Sequence, residues 1–474
     1  MEITGTGGSQ QFDSRLLDSA RQLIQRLFGD RIPLAHIHSY GCQGNVSDGE
    51  KISGLLAQMG YGFTADPGRA DLVIYNTCAI REHAEEKLFG NVGALKHAKR
   101  RNPDMVIGLC GCMMQQPAVA EKIKKSYPYV DLVFGTHALQ NLPQNLCELL
   151  QGRQQGKKRV FDTDEQKNII YEGIPTRREG SLKAWVPIMY GCDNFCSYCV
   201  VPLVRGREVS RQPADVLREI EQLVGQGYRD ITLLGQNVNS YGKGLAEPCD
   251  FADLLQRICQ IPGDFWIRFM TSHPKDITHK LIDTIAQNDK LCNHIHLPVQ
   301  SGCDRVLREM NRHYDVEKYL SIVDYARQKI PAVSFTSDII VGFPGEQYEE
   351  FLQTVDLIKK VRYDSLFTFI FSPRPGTRAA KMDDPVPAEE KSRWFNQLLE
   401  VQRQVGRQRY GELVGQTVRV LCEGPGKTGP GYMSGRDEHN MVVDFIGDST
   451  LCGHFVTVEV DRVASWALVG HRVD

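Results

Sequence analysis

The sequence predicts an α/β chain in three parts: an N-terminal domain on a parallel sheet, a partial barrel of six strand–helix units, and a small antiparallel β-barrel at the end. Three observations predict it. Strand-like and helix-like stretches alternate over 33–150 and again over 183–400. A loop and then a long polar helix fill 383–410, and the pattern then changes to short alternating strands over 411–474. Cysteines and Gly/Pro/Ser turns recur just past the predicted strands, where parallel sheets gather functional groups.

Length and composition agree with that layout. A chain of 474 residues favours about three domains. Its 41% apolar and 24% charged content is that of a folded globular chain. The formal charge of −2 excludes a global basic field, so any nucleic-acid site has to be local. Fourteen cysteines without an export core in Met1–Gln11 favour a reducing cytoplasm and metal or redox use. No apolar run is long enough to span a bilayer, so no membrane contact is expected.

Residues 1–10 read as a loose tail. Phe12, Leu16, Leu17, Ala20, Leu23, Ile24, Leu27 and Phe28 recur at helical spacing and predict an amphipathic helix over 12–28. Leu34–Ser39, Asp71–Asn76 and Asp104–Leu109 are strands, with helices over 47–59, 80–98 and 117–126 between and after them; Asp131–Gly135 is a further strand. Cys42, Cys78 and Cys112 each lie just past one of the first three strands. A parallel sheet brings those ends together, so the three cysteines read as ligands of one cluster, one short of four. The alternative is three unrelated buried cysteines. Cys110 competes with Cys112, but it belongs to the buried strand.

Residues 151–180 turn polar and read as a linker. Lys157, Lys158, Arg159, Arg177 and Arg178 make it basic, as Lys96–Arg101 does a helix end. A solvated surface and an RNA-backbone contact both fit such runs.

The second alternating region opens with Tyr190–Arg207, YGCDNFCSYCVVPLVRGR. Cys192, Cys196 and Cys199 stand there at C-x3-C-x2-C spacing. Zinc would need a fourth ligand, and no second close pair is nearby. Three thiolates suit a cubane iron–sulfur cluster whose fourth iron stays open to a small molecule. Strands are predicted at Trp185–Met189, directly before this stretch, and at Ile231–Leu234, Trp266–Met270, His294–Leu297, Ser334–Val341 and Leu366–Phe371. The clearest helix is Pro213–Val224, with Ala214, Leu217, Ile220, Leu223 and Val224 on one stripe. Polar turns follow the strands: Gly235–Asn237, Ser272–Pro274, Pro298–Gly302, Gly342–Glu346 and Ser372–Gly376. Together they ring the face that carries active sites in such barrels. His273, His294 and His296 read as core or rim residues, and Cys249, Cys259, Cys292 and Cys303 as packing.

The last part predicts strands at Thr417–Leu421, Met441–Phe445 and Phe455–Val460. A small appended β-barrel is a common nucleic-acid-binding shape. Its five Lys or Arg against nine Asp or Glu confine any RNA contact to Arg419, Lys427, Arg436 and Arg462.

The motifs resemble one family. YGCQGN at Tyr40–Asn45, NTCAIRE at Asn76–Glu82, GCMMQ at Gly111–Gln115, Gly191–Arg211, LGQNVNSY at Leu234–Tyr241, HLPVQSG at His296–Gly302, SDIIVGFPGE at Ser337–Glu346 and FSPRPGT at Phe371–Thr377 match the radical S-adenosylmethionine (SAM) methylthiotransferases in order. NTCAIRE and VVPLVRGREVSR favour the MiaB subgroup, which acts on N6-isopentenyladenosine in tRNA, over relatives acting on threonylcarbamoyladenosine or on a ribosomal-protein aspartate. Ile80, Arg81 and Glu82 are the discriminating residues. Gly44 stands where the subgroup commonly has a bulkier residue. The resemblance covers about 33–474.

The resemblance implies a tail and helix at 1–32, a methylthiotransferase domain at 33–150, a linker at 151–177, a radical SAM core at 178–410 and a TRAM barrel at 411–474. It implies two [4Fe–4S] clusters: a SAM-cleaving one on Cys192, Cys196 and Cys199, and an auxiliary one on Cys42, Cys78 and Cys112. One SAM then gives the methyl group. A second gives the 5′-deoxyadenosyl radical that activates adenine C2, and the sulfur comes by way of the auxiliary cluster. Tyr198, Gln236, Asn237, Gln300, Ser301 and Asp338 are placed for SAM by their positions. The implied partners are the tRNA anticodon stem-loop, an electron donor such as a flavodoxin or ferredoxin, and an iron–sulfur carrier; a monomer is expected. A non-catalytic iron–sulfur RNA-binding protein is the competing class, distinguished by leaving SAM intact.

Overall fold

The structure is a computed structural model that describes residues 8–79, 82–156, 159–163, 169–464 and 467–473. Ile80, Arg81, Lys157 and Lys158 lie outside the described residues. Two compact units divide the chain: Met1–Gly180 with Met189–Asp193 and Cys199–Asp215, and Ser181–Ile188 with Asn194–Tyr198 and Val216–Asp474.

The first unit is built on a six-stranded parallel sheet in the order Gly62–Phe63, Leu34–Ser39, Leu72–Thr77, Val106–Gly111, Leu132–Phe134, Val160–Asp162. Its strands are apolar on both sides because helices cover both faces, as parallel sheets require. Helices Arg15–Phe28, Gln43–Gln58 and Leu142–Gln154 pack Leu17, Ile24, Ile52, Leu55 and Leu146 against one face. Glu82–Arg101 and Pro117–Ser126 pack Leu88, Val92, Leu95, Val119 and Ile123 against the other. The N-terminal helix thus belongs to this sheet's core.

Two expectations change here. Gly8–Gln11 is a strand in parallel pairing with Ile169–Glu172, where a tail and a linker were expected. Val160–Asp162, also in that linker, is the sixth strand of the sheet. These strands are too short to show a period, and their partners define them. The basic linker is used internally as well. Arg159 donates to the carbonyls of Val130, Lys124, Ile123 and Tyr127. Arg177 lies over the Phe63 ring. In the basic run at the helix end, Lys99 pairs with Asp131 at 2.9 Å.

The second unit holds two three-stranded parallel sheets. One runs Lys183–Pro187, Asp230–Leu234, Trp266–Phe269; the other His294–His296, Ser334–Val341, Ser365–Ile370. Ile267 N–H donates to Lys290 O at 2.7 Å and its carbonyl accepts from Cys292 at 3.1 Å, joining the sheets into six strands in sequence order. This is the partial barrel. In helix Pro213–Gly225 the buried stripe is Val216, Ile220 and Leu223; Ala214, expected on it, is exposed.

The C-terminal barrel is closed, in the order Thr417–Pro425, Tyr432–Asp437, Val442–Ile446, Leu468–Arg472, Phe455–Val463. Four pairings are antiparallel, but Val442–Ile446 and Leu468–Arg472 run parallel, a departure from the all-antiparallel expectation. The last strand enters beside the third because Phe455–Val463 already closes on the first. Tyr432–Asp437 and Leu468–Arg472 escaped prediction because their glycine and polar content hides the alternation. The barrel packs Leu421 and Phe455 on Trp266 and Cys292, at the end of the larger barrel where its strands begin.

Candidate active site

Strands Leu34–Ser39, Leu72–Thr77 and Val106–Gly111 end in register. Ser39 pairs with Asn76, Asn76 with Cys110, and Thr77 with Gly111. The next residues turn, which brings the Cys42, Cys78 and Cys112 loops to one edge. Two glycines make that possible. A Cβ on Gly41, at φ +121°, would lie 2.3 Å from Cys78 Cβ. One on Gly111, at φ +95°, would lie 2.4 Å from Asn76 Oδ1 and 2.5 Å from Thr77 O. Asn45 Nδ2 donates to Thr77 O at 3.0 Å and Asn76 Nδ2 to Asn45 O at 2.6 Å, tying the first loop to the second.

The thiols differ. Cys42 precedes helix Gln43–Gln58, whose N-terminal dipole favours a thiolate. A hydrogen bond from Cys78 holds its pKa down at about 5 against burial, with the charge of Arg205 helping. Burial pushes the Cys112 thiol up, and Arg205 pulls it back. Arg205 is itself buried; its Nε donates to Cys112 Sγ at 3.1 Å and its Nη2 to Asp48 at 2.8 Å. Cys110 packs with Leu132 and Phe134 in the sheet core, while Cys112 packs with Ala79, Val200 and Val204. The left-handed turn at Gly111 separates the two.

Of the loop cysteines, Cys192 and Cys199 fall in the first unit and Cys196 in the second. Cys192 N–H donates to Gly206 O at 3.1 Å, and Asp193 pairs with Arg207 at 2.7 Å. Within the second unit, Ser197 N–H donates to Met310 O at 3.0 Å and Ser197 O accepts from Ala379 at 2.7 Å. Arg312, buried, donates to Cys196 Sγ at 3.3 Å, to Tyr198 Oη at 3.4 Å and to Pro298 O at 2.8 Å. Among the described residues no three His, Cys, Asp or Glu side chains meet at single-ion spacing. Thiolates at the corners of a multi-iron cluster stand further apart than that.

The strand ends of the second unit carry the remaining candidates. Asn237 is buried; its Nδ2 donates to Asp276 at 2.7 Å, while its Oδ1 has no partner among the described residues. Asn239 Oδ1, Ser272 Oγ and His273 Nε2 are also buried without a partner among the described residues. Such groups cost about 1–3 kcal/mol each unless a ligand satisfies them. Lys275 N–H donates to His273 Nδ1 at 3.2 Å, so Nε2 carries the proton and is the donor left over. Burial lowers the pKa of His273 and keeps the ring neutral. Two acceptors and two donors at the ends of neighbouring strands suit a ligand with an amino and a carboxylate group. Sequence reasoning set His273 aside as a core or rim residue.

Gln300 adopts φ +74° and bridges two strands through its backbone, accepting from Ile340 at 3.0 Å and donating to Asp338 O at 2.9 Å. Ser301 is fully buried; its hydroxyl accepts from Cys303 N–H at 3.2 Å and lies 3.4 Å from Thr354 Oγ1. Asp338 is partly exposed, 3.5 Å from His296 Nε2. Gln236 is half-buried at the end of its strand. Tyr198 packs on Cys303, Val306, Met310 and Phe343. His294 and His296 share the Thr336 hydroxyl at 2.8 and 2.9 Å.

Three family models match the chain: an uncharacterized protein family, UPF0004, at residues 34–135; the radical SAM superfamily at 186–358; and the TRAM domain at 411–473. A tRNA-2-methylthio-N(6)-dimethylallyladenosine synthase of Clostridium perfringens is 49% identical over 92% of this chain and 97% of that protein. One of Thermoanaerobacter pseudethanolicus is 47% identical over 93% of this chain and 92% of that protein. Among solved structures, the radical SAM methyltransferase TsrM of Kitasatospora setae, with cobalamin and a [4Fe–4S] cluster bound, aligns at a TM-score of 0.53. It is 15% identical and covers 85% of this chain and 77% of that one, a likeness of fold.

Proposed function

Because the chain belongs to the family of tRNA-2-methylthio-N(6)-dimethylallyladenosine synthases, we infer that it is a radical SAM methylthiotransferase acting on tRNA. It converts N6-isopentenyladenosine, next to the anticodon on its 3′ side, to the 2-methylthio derivative. The observation that carries this reading is the shared strand edge of Cys42, Cys78 and Cys112, which gives the chain a second thiol triad in addition to Cys192, Cys196 and Cys199. An aromatic C2–H is not acidic enough for a side-chain base, so a radical route and a sulfur source are both required.

The donor sets fit the groups the reaction needs. Cys192, Cys196 and Cys199 would hold one [4Fe–4S] cluster, and Cys42, Cys78 and Cys112 the auxiliary one. When bound, these supply the electron for SAM cleavage and the position from which sulfur is delivered. Arg205 and Arg312 each set a buried positive charge against one sulfur, and Arg205 favours the thiolate form of Cys112. Asn237, Asn239, Ser272 and His273 would bind and orient the amino and carboxylate ends of SAM. Gln236, Gln300 and Asp338 would line the same site, Gln300 through its backbone. The committed side-chain bonds of Ser301 give it the narrower task of holding the turn. Tyr198 would position the cysteine loop through its packing.

The domain limits that accompany this reading are 33–150, 178–410 and 411–474, with 1–32 and 151–177 as attachments. The RNA element is the anticodon stem-loop, whose base leaves its stack more readily than in a duplex. A flavodoxin or ferredoxin as electron donor, an iron–sulfur carrier, action as a monomer and a cytoplasmic location complete the proposal. Among the described residues no helix is long and apolar enough to cross a membrane.

The test is anaerobic reconstitution with SAM, a reductant and isopentenylated tRNA, read by mass spectrometry and iron analysis. Wild type should form the methylthio product and hold about eight irons per chain, two [4Fe–4S] clusters. The triple variant C42A/C78A/C112A should hold about four, cleave SAM and form no product. Cleavage with unmodified tRNA in the wild type would move the substrate to threonylcarbamoylated tRNA or the ribosomal protein. Absence of cleavage would sink the assignment of Cys192, Cys196 and Cys199.

A further inference from the structure

The six strands of the second unit have two unlike faces. Ile231, Leu233, Ile267, Phe335, Ile339 and Val341 are wholly or almost wholly buried on the face that helices cover. The other face, the inside of the partial barrel, carries Thr232, Arg268, His294, His296, Thr336 and Asp338 by register and alternation, together with Trp185, Leu234 and Trp266. Its last strand adds two exposed rings. Register pairs Asp338 with Phe367 and Ile340 with Phe369, so both phenylalanines stand on the inside. Each is 47% exposed. The Phe367 ring meets His296 edge-on at 5.7 Å. Ile340 packs into the apolar group that includes Tyr198 of the cysteine loop.

We infer that Phe367, Phe369 and Ile340 form the shelf that receives the N6-dimethylallyl chain of the substrate adenosine and sets the preference for prenylated RNA. The inference rests on the reading of the substrate given above. A purine stacked here would bring polar edges that need partners, and the polar neighbour, Asp338, already faces His296. A branched five-carbon chain has no polar atom to satisfy and matches two flat rings at alternate positions. The shelf is continuous, through Ile340 and Tyr198, with the packing under the cysteine loop, so a chain lying on it keeps its adenine near the chemistry.

The experiment compares wild type, F367A, F369A and F369L. It reads binding of an anticodon stem-loop RNA with and without the dimethylallyl group, KM for the prenylated RNA, and SAM cleavage without RNA. The alanine variants should weaken binding and raise KM for the prenylated RNA about tenfold to a hundredfold. Affinity for the unprenylated RNA and RNA-free SAM cleavage should stay within about twofold, and F369L, which keeps apolar volume, should resemble wild type. Equal weakening toward both RNAs would make this a base-stacking platform and overturn the inference. Unchanged KM would overturn it, as would loss of RNA-free SAM cleavage, which would put the rings in the cofactor's site. A wild type that forms no methylthio product fails the family reading instead, and the comparison of the two RNAs then still decides the shelf.

Discussion

Arg205 Nε donates to Cys112 Sγ at 3.1 Å while the same guanidinium grips Asp48 at 2.8 Å. A buried cation therefore stands between a buried thiol and a carboxylate of helix Gln43–Gln58. Removing one member of such a set leaves the others uncompensated, at about 3–5 kcal/mol. R205A should lower the unfolding free energy of the cluster-free protein by that amount in denaturant titrations. Reconstituted R205A should lose about four irons, one [4Fe–4S] cluster, and retain SAM cleavage. R205K keeps the charge but not the fork, and should recover part of the iron.

Arg312 plays the matching part at Cys196. It also joins the loop to Pro298 O, so its loss affects position as well as charge. R312A should suppress SAM cleavage while leaving the iron held by Cys42, Cys78 and Cys112 in place. Iron analysis beside 5′-deoxyadenosine release separates the two. Iron lost from both triads would count against a local role.

Gly41 and Gly111 allow the three strand-end loops to touch. G41A and G111A combine a left-handed backbone with a Cβ closer than 2.5 Å to its neighbour. Strain and overpacking at about 1–3 kcal/mol each predict a loss of about 2–5 kcal/mol. The check is thermal unfolding with iron analysis. A stable G41A with full iron would show that the loops relax.

Glu346 gives the cluster-free protein a pH dependence. Burial pushes its pKa up to about 7, although Gly342 and Phe343 N–H groups donate to it and pull the other way. Below its ordinary carboxylate range the group is protonated in both the folded and the unfolded chain. Between that range and 7 the folded chain holds the extra proton, so stability falls as pH rises. The stability difference between wild type and E346Q, which isolates this group from the buried histidines that act the other way, should shift by about 3 kcal/mol against wild type between about pH 4.5 and 8 in denaturant titrations across that range.

Strands with a run of β-branched residues were legible without partners, as Ser334–Val341 shows, and so was the Pro117–Ser126 helix with its proline start. The cysteine positions were legible because strand ends of one parallel sheet must meet. Gly8–Gln11 and Val160–Asp162 were not, since their neighbours alone make them strands. Arg205 and Arg312 gave no local signal. An arginine that ends against sulfur looks in sequence like one that ends in water. His273 shows the opposite failure: its position was noted and its chemistry discounted, because burial without a partner is visible only in three dimensions.

The contact of Phe455 and Leu421 with Trp266 and Cys292 has a mechanical consequence. Arg268 donates to Asp437 O at 2.7 Å and Arg419 grips Asp264 at 2.7 Å across the same seam. The small barrel is a fixed jaw, not a tethered hand. RNA bound on it would be offered to the far end of the larger barrel at one span, so the substrate would be measured as by a caliper. A stem-loop shortened or lengthened by a few base pairs should fail on reach even when every base it presents is correct.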